Sequence, residues 1–401
     1  MSKLILKIKS YPKIGLVLLA YIAFIALGMP DGLLGVAWPS IREGFKIPLD
    51  ALGSLLFVST SGYLFSSFLS GKIIARIGVG KLLAISCALT GIALVGYTIV
   101  PSWWVMVVLG VLAGLGAGAI DAGLNTYVAA NFGAGLMQWL HASYGIGITA
   151  GPFIMTMALT SFQSWRIGYI IVGAFQFVLA ISFALTLSMW SRETDPNPIE
   201  NTKLLTDYKT PYRETFKNGR VWLSVLQFFL YTGTEVGVGT WTYSLLTESR
   251  GINPEIAGIW TGSYWAMFTI GRIIAGLYTR RVGVNKLIIG SLLSALSGSI
   301  LLWWNPLPVV NLLAVGLIGL AIAPIFPGLV SGTSKRVGDQ FAANTIGMQM
   351  AAGSLGVALV PSFFGVLARW YTLEIIPVAL IILFLIQLGL YWINISKRKL
   401  V

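Results

Sequence analysis

Gly71-Lys-Ile-Ile-Ala-Arg76-Ile-Gly78-Val79-Gly-Lys81-Leu82 and Gly276-Leu-Tyr-Thr-Arg-Arg281-Val-Gly283-Val284-Asn-Lys286-Leu287 are one turn written twice, with six identities at an offset of 205 residues. Each is basic, punctuated by glycine and flanked by long apolar sequence. Outward from the two turns, apolar runs recur at 14–36, 49–71, 82–100, 104–131, 139–160 and 166–190, then at 220–246, 255–277, 287–304, 308–334, 342–366 and 373–395. Most reach the length of about 20 residues that a helix needs to cross about 30 Å of hydrocarbon, runs 3 and 9 being the shortest. Residues 191–219, SRETDPNPIENTKLLTDYKTPYRETFKNG, form the one long polar stretch and divide the runs six and six. Gly147 and Pro152 recur as Gly356 and Pro361 at an offset of 209. With six helices per half, both halves start on the same side, so the repeat is parallel and any solute site is expected between the halves near the midplane. The expected fold is an all-α membrane protein of twelve transmembrane helices in two pseudo-symmetric six-helix bundles. Residues 1–190 and 220–401 form the bundles, and 191–219 is the linker.

Composition agrees: 56% of the residues are hydrophobic and 10% charged, outside the range of a water-soluble domain. A net charge of +13 would suit nucleic acid, but placement decides otherwise. With both termini inside, 21 of the 27 Lys and Arg residues fall on cytoplasmic segments, five outside (Arg42, Lys46, Arg166, Arg250, Arg369) and one, Arg272, within a helix. Basic residues retained on the cytoplasmic face thus select a multi-pass protein of the inner (cytoplasmic) membrane, both termini and the linker cytoplasmic. Trp38, Trp103, Trp104, Trp165, Trp190, Trp303, Trp304, Trp370 and Trp392 lie near predicted helix ends, where interfacial anchors belong. The basic N-terminus before an apolar run imitates a secretory signal, but the run is too long and lacks a small-residue cleavage site, so it reads as a retained first helix. Cys87, the single cysteine, excludes an intramolecular disulfide and reads as an inert core thiol.

Two six-helix halves, a polar central loop and a Gly-x-x-x-x-Arg-x-Gly turn after helices 2 and 8 resemble the major facilitator superfamily over essentially the whole chain. One departure concerns the residue before the arginine, acidic in that family's loop motif and here Ala75 and Arg280. The cytoplasmic charge relay of the family is therefore altered, although Arg76, Arg281 and Arg272 remain candidate gating residues.

Ionisable side chains inside a membrane cost about 2.5–3.5 kcal/mol each on insertion scales and mark a solute path or proton relay by default. Asp31 in helix 1 shares a face with Gly28, Gly35 and Trp38; it either faces a cavity or caps a broken helix. Glu235 in helix 7, with Tyr231, Gly239 and Thr242 on its face, stands 48 residues before Gly283, as Asp31 stands 47 before Gly78. Helix 4 carries Gly110, Gly114, Gly118, Asp121 and Asn125 on one face; the glycines imply close helix packing. A carboxyl and an amide one turn apart can hold a hydroxyl-rich solute, or the acid can carry a proton. His141, the only histidine, begins helix 5 close to Tyr144. Arg272 in helix 8 can snorkel to the interface or pair with an acid.

Asp-Gly-Leu-Leu in helix 1, Asp-Ala-Gly-Leu-Asn in helix 4 and Gln-Trp-Leu-His-Ala-Ser-Tyr-Gly in helix 5 are similar to the fucose permease-like branch of the superfamily, which includes sugar–cation symporters. The resemblance implies proton coupling and sugar contact for Asp31, Asp121 and Asn125. Glu235 is the third coupling candidate; His141, Tyr144, Tyr231 and Gln349 complete the candidate solute contacts. Gly147-x-x-x-Gly151-Pro152 partly resembles the superfamily's antiporter motif, with Met155 and Thr156 where a glycine pair would follow. The expected activity is therefore proton-coupled uptake of a small polar solute, a sugar or sugar derivative, with efflux or flipping of amphiphiles by proton antiport as the alternative.

No phosphate-binding Gly-x-x-x-x-Gly-Lys-Ser/Thr loop, His-Glu-x-x-His, paired cysteine ligands or Gly-x-Ser-x-Gly elbow occurs in the sequence. An enzyme would need such a cluster, and a receptor would need a signalling domain that the loops are too short to hold. The expected partners are a small-molecule solute, a coupling ion (H⁺) and the lipid bilayer, with no nucleic acid, cofactor or metal, and with the monomer as the working unit.

Overall fold

The computed structural model describes residues 14–131, 134–190 and 210–396. Twelve long helices account for most of them: α1 (Ile14–Phe45), α2 (Leu52–Ile77), α3 (Val79–Tyr97), α4 (Trp103–Asn131), α5 (Ala134–Phe162), α6 (Trp165–Leu185), α7 (Gly219–Ser244), α8 (Pro254–Val282), α9 (Val284–Trp304), α10 (Pro308–Ile322), α11 (Asp339–Trp370) and α12 (Ile375–Ser396). Eleven spans among the described residues are long and apolar enough to cross a membrane. The twelfth helix, α8, is as long, and its lower apolarity comes from Arg272 and the polar residues around it.

The same packing scheme appears twice. In the first six helices α1 packs on α5, α4 on α2 and α3, and α3 on α6; in the second six, α7 packs on α11, α10 on α8 and α9, and α9 on α12. The repeated turn has a backbone reason. Gly78 and Gly283 join α2 to α3 and α8 to α9 at φ values of +82° and +80°, a region that a Cβ disfavours. The second echo has a packing reason: a Cβ on Gly147 would stand 3.0 Å from the Ile25 Cα of α1, and one on Gly356 would stand 2.9 Å from the Thr232 hydroxyl of α7. Both would also collide with a backbone carbonyl, of Ile25 and of Phe229.

Three helices depart from the sequence expectation. α1 continues nine residues past its predicted end, through Pro39, because a membrane helix tolerates proline and Val36, Ala37, Trp38 and Ile41 are all buried against neighbours. α11 likewise runs 32 residues through Pro361. α10 breaks at Ala323–Pro324 and resumes as Ile325–Ser331. The Ile322 carbonyl at that break accepts the Tyr231 hydroxyl at 3.0 Å.

Four tryptophans are not interfacial anchors. Trp38, Trp103, Trp165 and Trp190 are buried in aromatic clusters, while Trp104, Trp303, Trp304, Trp370 and Trp392 are exposed as expected. Of the linker, 191–209 lies outside the described residues. Its last part forms a short helix, Tyr212–Lys217, docked on the start of α11, where the Asn344 amide donates to the Thr210 carbonyl and the Thr215 hydroxyl, both at 3.0 Å.

The halves touch through α5 with α8, α2 with α11 and α1 with α7. Among the described residues two ion pairs join them, both at the end of the bundle opposite the described chain ends, here called the distal end. Arg42 meets Glu248 at 2.7 Å, and one guanidinium nitrogen of Arg369 lies 3.0 Å from each Asp50 carboxylate oxygen.

Candidate functional site

The α4 glycine stripe faces α2. A Cβ on Gly110 would press on Ser59, one on Gly114 would stand 3.0 Å from the Tyr63 backbone nitrogen, and one on Gly118 would collide with the Tyr63 carbonyl. Asp121 continues that face and therefore meets α2 as well, where the Tyr63 hydroxyl donates to its Oδ2. The Asn125 side-chain amide donates to Asp121 Oδ1 at 2.8 Å and to its backbone carbonyl at 3.0 Å. Asn125 is thus partly committed to orienting the carboxylate and is not a free second arm beside it.

On the neighbouring face, close packing of α1 on α5 brings Asp31 to Tyr144, whose hydroxyl donates to Asp31 Oδ2 at 2.7 Å. Asp31 is exposed although it stands mid-helix inside the bundle, as a side chain on the wall of an open cleft should be. The helix is unbroken there, so Asp31 is not a cap. Asp31 and Asp121 lie within electrostatic reach of each other, and Asp121 within reach of His141. His141, also exposed, meets the Phe24 ring edge-on at 5.8 Å.

Across the cleft, α5 and α8 run antiparallel. Gly145 leaves room for Thr269, whose Oγ1 a Cβ would approach to 2.6 Å, and Thr149 and Thr269 hydroxyls stand 3.4 Å apart. One turn along this contact, Arg272 comes within electrostatic reach of His141 and Tyr144. Arg272 lies over the Phe268 ring at 4.2 Å and 3.9 Å from Glu235 Oε1, so it pairs with an acid and is not extended to the interface. The Tyr264 hydroxyl fixes the Glu235 backbone carbonyl at 2.7 Å.

The structure therefore gathers Asp31, Asp121, Asn125, His141, Tyr144, Glu235 and Arg272 around one region between the halves. Two expected solute contacts are packed away from open space. Tyr231 is 1% exposed and bound to Ile322, and Gln349 is fully buried with Oε1 accepting from Thr333 at 3.0 Å. Arg76 is exposed in the last turn of α2 and forms no ion pair among the described residues; the side chain of Arg281 lies outside them. Tyr63 was missed in the sequence. Its signal was the polar three-four spacing of Ser59, Tyr63, Ser66 and Ser70 along an apolar helix. Among the described residues no three His, Cys, Asp or Glu side chains cluster so as to hold a metal ion.

The profile of the Major Facilitator Superfamily matches residues 20–361. The chain belongs to that superfamily. This transporter is 26% identical over 322 residues to the glucose/mannose transporter GlcP of Bacillus subtilis (strain 168), covering 78% of each chain. It is 23% identical over 351 residues to the human sodium-dependent glucose transporter 1, covering 77% of this chain and 65% of that protein. Among solved structures, a bacterial homologue of the human lysosomal transporter Spinster, inward-facing and unoccupied, superposes with a TM-score of 0.76 at 16% identity, covering 96% of this chain and 97% of that one. The nucleoside transporter NupG (D323A mutant) gives 0.76 at 15% identity, covering 94% and 98%. The transporter is thus a multi-pass membrane protein of transport, not enzymatic, function.

Proposed function

We propose that this transporter is a proton-coupled symporter carrying a neutral polar solute of the sugar class inward by alternating access. The observation that carries the reading is the pair of intramembrane carboxylates, Asp31 and Asp121, each holding a tyrosine hydroxyl and within reach of each other, with Asp121 also within reach of the single histidine. A carboxylate in a cleft wall can take a proton from one side and release it to the other. The glucose transporters among the relatives support the solute class. Residues 1–190 and 220–401 are the two moving bodies, joined by 191–219, in a transporter that works as a monomer. Both termini lie in the cytoplasm of a cell with this protein in its inner membrane, because the basic residues gather on that side. In that orientation the ion-paired distal end faces outside and the cleft opens inward.

The test uses the purified full chain in sealed vesicles, with an imposed pH gradient and labelled D-glucose. Asp31→Asn or Asp121→Asn should abolish uphill accumulation while sparing glucose exchange, since a permanently neutral group lets the loaded carrier switch sides but carries no proton. If both variants accumulate glucose as the parent does, or only a sodium gradient drives the parent, proton coupling through these acids is wrong.

A further inference from the structure

Glu235 and Arg272 are opposite charges inside the membrane, each with a buried polar atom that has no partner. The other ion pairs among the described residues close to 2.7 Å (Arg42–Glu248), 2.6 Å (Arg250–Glu374) and 3.0 Å (Arg369–Asp50), whereas Glu235 and Arg272 stop at 3.9 Å, beyond hydrogen-bond distance. Arg272 makes no side-chain hydrogen bond among the described residues, Glu235 is approached by the Tyr231 hydroxyl, which the Ile322 carbonyl already holds at 3.0 Å, and Glu235 Oε2 and Arg272 Nε are buried without partners. Their side chains are 14% and 25% exposed, so the remaining polar atoms reach open space. The site is held in place all the same. Phe268 stacks under the guanidinium, Tyr264 fixes the Glu235 backbone, and Gly239 seats α7 against the Trp265 ring, 2.7 Å from the position a Cβ would occupy.

Two charges fixed near each other with no hydrogen bond between them, and an unpartnered polar atom on each, invite a group that satisfies both. A lone anion would suit Arg272 and be repelled by Glu235, and a lone cation the reverse. Two adjacent hydroxyls fit: one oxygen accepts from the guanidinium while the other hydroxyl donates to the carboxylate. The carboxylates of α1 and α4 differ in that each accepts a tyrosine hydroxyl at hydrogen-bond distance, and Asp121 is engaged on both oxygens. Tyr144 lies within electrostatic reach of Glu235 and Arg272, so a solute on this pair would face the Asp31–Tyr144 bond across the cleft.

We propose that Glu235 and Arg272 form a clamp for a vicinal diol and set solute specificity from the second half, leaving proton handling to the first. This rests on the sugar-class reading above. Exchange of labelled D-glucose, its monodeoxy analogues and alanine should be measured in vesicles for the parent, Glu235→Gln, Arg272→Lys and Gly290→Ala. In the parent, removing either of two neighbouring hydroxyls should weaken apparent affinity at least about tenfold, the scale of a hydrogen bond to a charged group. Glu235→Gln should lose that discrimination at one hydroxyl and Arg272→Lys at the other, while Gly290→Ala, on α9 and outside the site, keeps both. Arg272→Lys retains the charge beside Glu235, so it reads the clamp even if Glu235→Gln fails to assemble. Discrimination unchanged in the variants overturns the clamp and leaves the sugar reading standing. A parent that exchanges no sugar, or exchanges alanine instead, overturns both.

Discussion

Parting the two ion pairs of the distal end should shift the transporter toward a state open on that side. Arg42–Glu248 and Arg369–Asp50 are the ion pairs that bridge the halves among the described residues, and each must separate if the distal end opens. Arg369 is 53% exposed, and the Arg42–Glu248 pair borders an open depression of about 430 Å³, so solvent screens both. That places each near the upper part of the surface range, about 0.5–1 kcal/mol, and far below a buried pair. Together they bias the equilibrium by about 1–2 kcal/mol, a factor of about 5–30. Thr149, facing Thr269 between the halves, can report the shift as Thr149→Cys, because the native Cys87 is fully buried. In vesicles, an impermeant maleimide applied outside should label Thr149→Cys about 5–30 times faster when Arg42→Gln and Arg369→Gln are added. The exchanged pair Asp50→Arg with Arg369→Asp should return the rate toward the parent's, while Arg369→Asp alone stays fast. Labelling that ignores both substitutions, or an exchanged pair no slower than the single reversal, would refute the latch.

Gly114→Ala should cost about 1–3 kcal/mol of stability, since its Cβ would be forced onto the α2 backbone at Ser59 and Tyr63, and a lowered thermal midpoint of the purified protein would show it. The same change made at Gly290, where a Cβ meets nothing within 4 Å, should leave the midpoint unmoved. A cysteine placed within 191–219 should react with impermeant reagent only after the membrane is opened; reaction from the intact outer face would reverse the orientation.

The bundle was legible because its rules are local. Apolar length marks a span, and Gly78 and Gly283 recur because a positive φ is needed at each turn. The full length of α1 was not, since the predicted run ends at residue 36, short of Pro39, which is a stop by the rules of helices in water, whereas here the neighbouring helices stabilise the extra turns. Helical spacing placed Asp121 and Asn125 on one face but could not say which helix that face meets. The partner proved to be Tyr63, 58 residues earlier. Arg272 was ambiguous for the same reason, as snorkelling and pairing differ only in where α7 lies. Tyr231 shares the Glu235 face in sequence, yet the break in α10 leaves a carbonyl that claims its hydroxyl.

The glycine seams within each half have a mechanical consequence. Gly28 and Gly32 of α1 lie against the backbone of α5, and Gly151 of α5 answers them, with a Cβ there only 2.7 Å from Gly32 Cα; Gly233 and Gly356 do the same for α7 and α11. Such joints bring backbone against backbone with only short, stiff side chains such as Pro152 and Val360 beside them, so they leave little slack for one helix to slide on the other. Each pair behaves as a welded beam, and the Asp31–Tyr144 bond spans one of these welds. Motion is left to the joints between beams, where hydroxyls, aromatic edges and hydrated ions can let go and re-form.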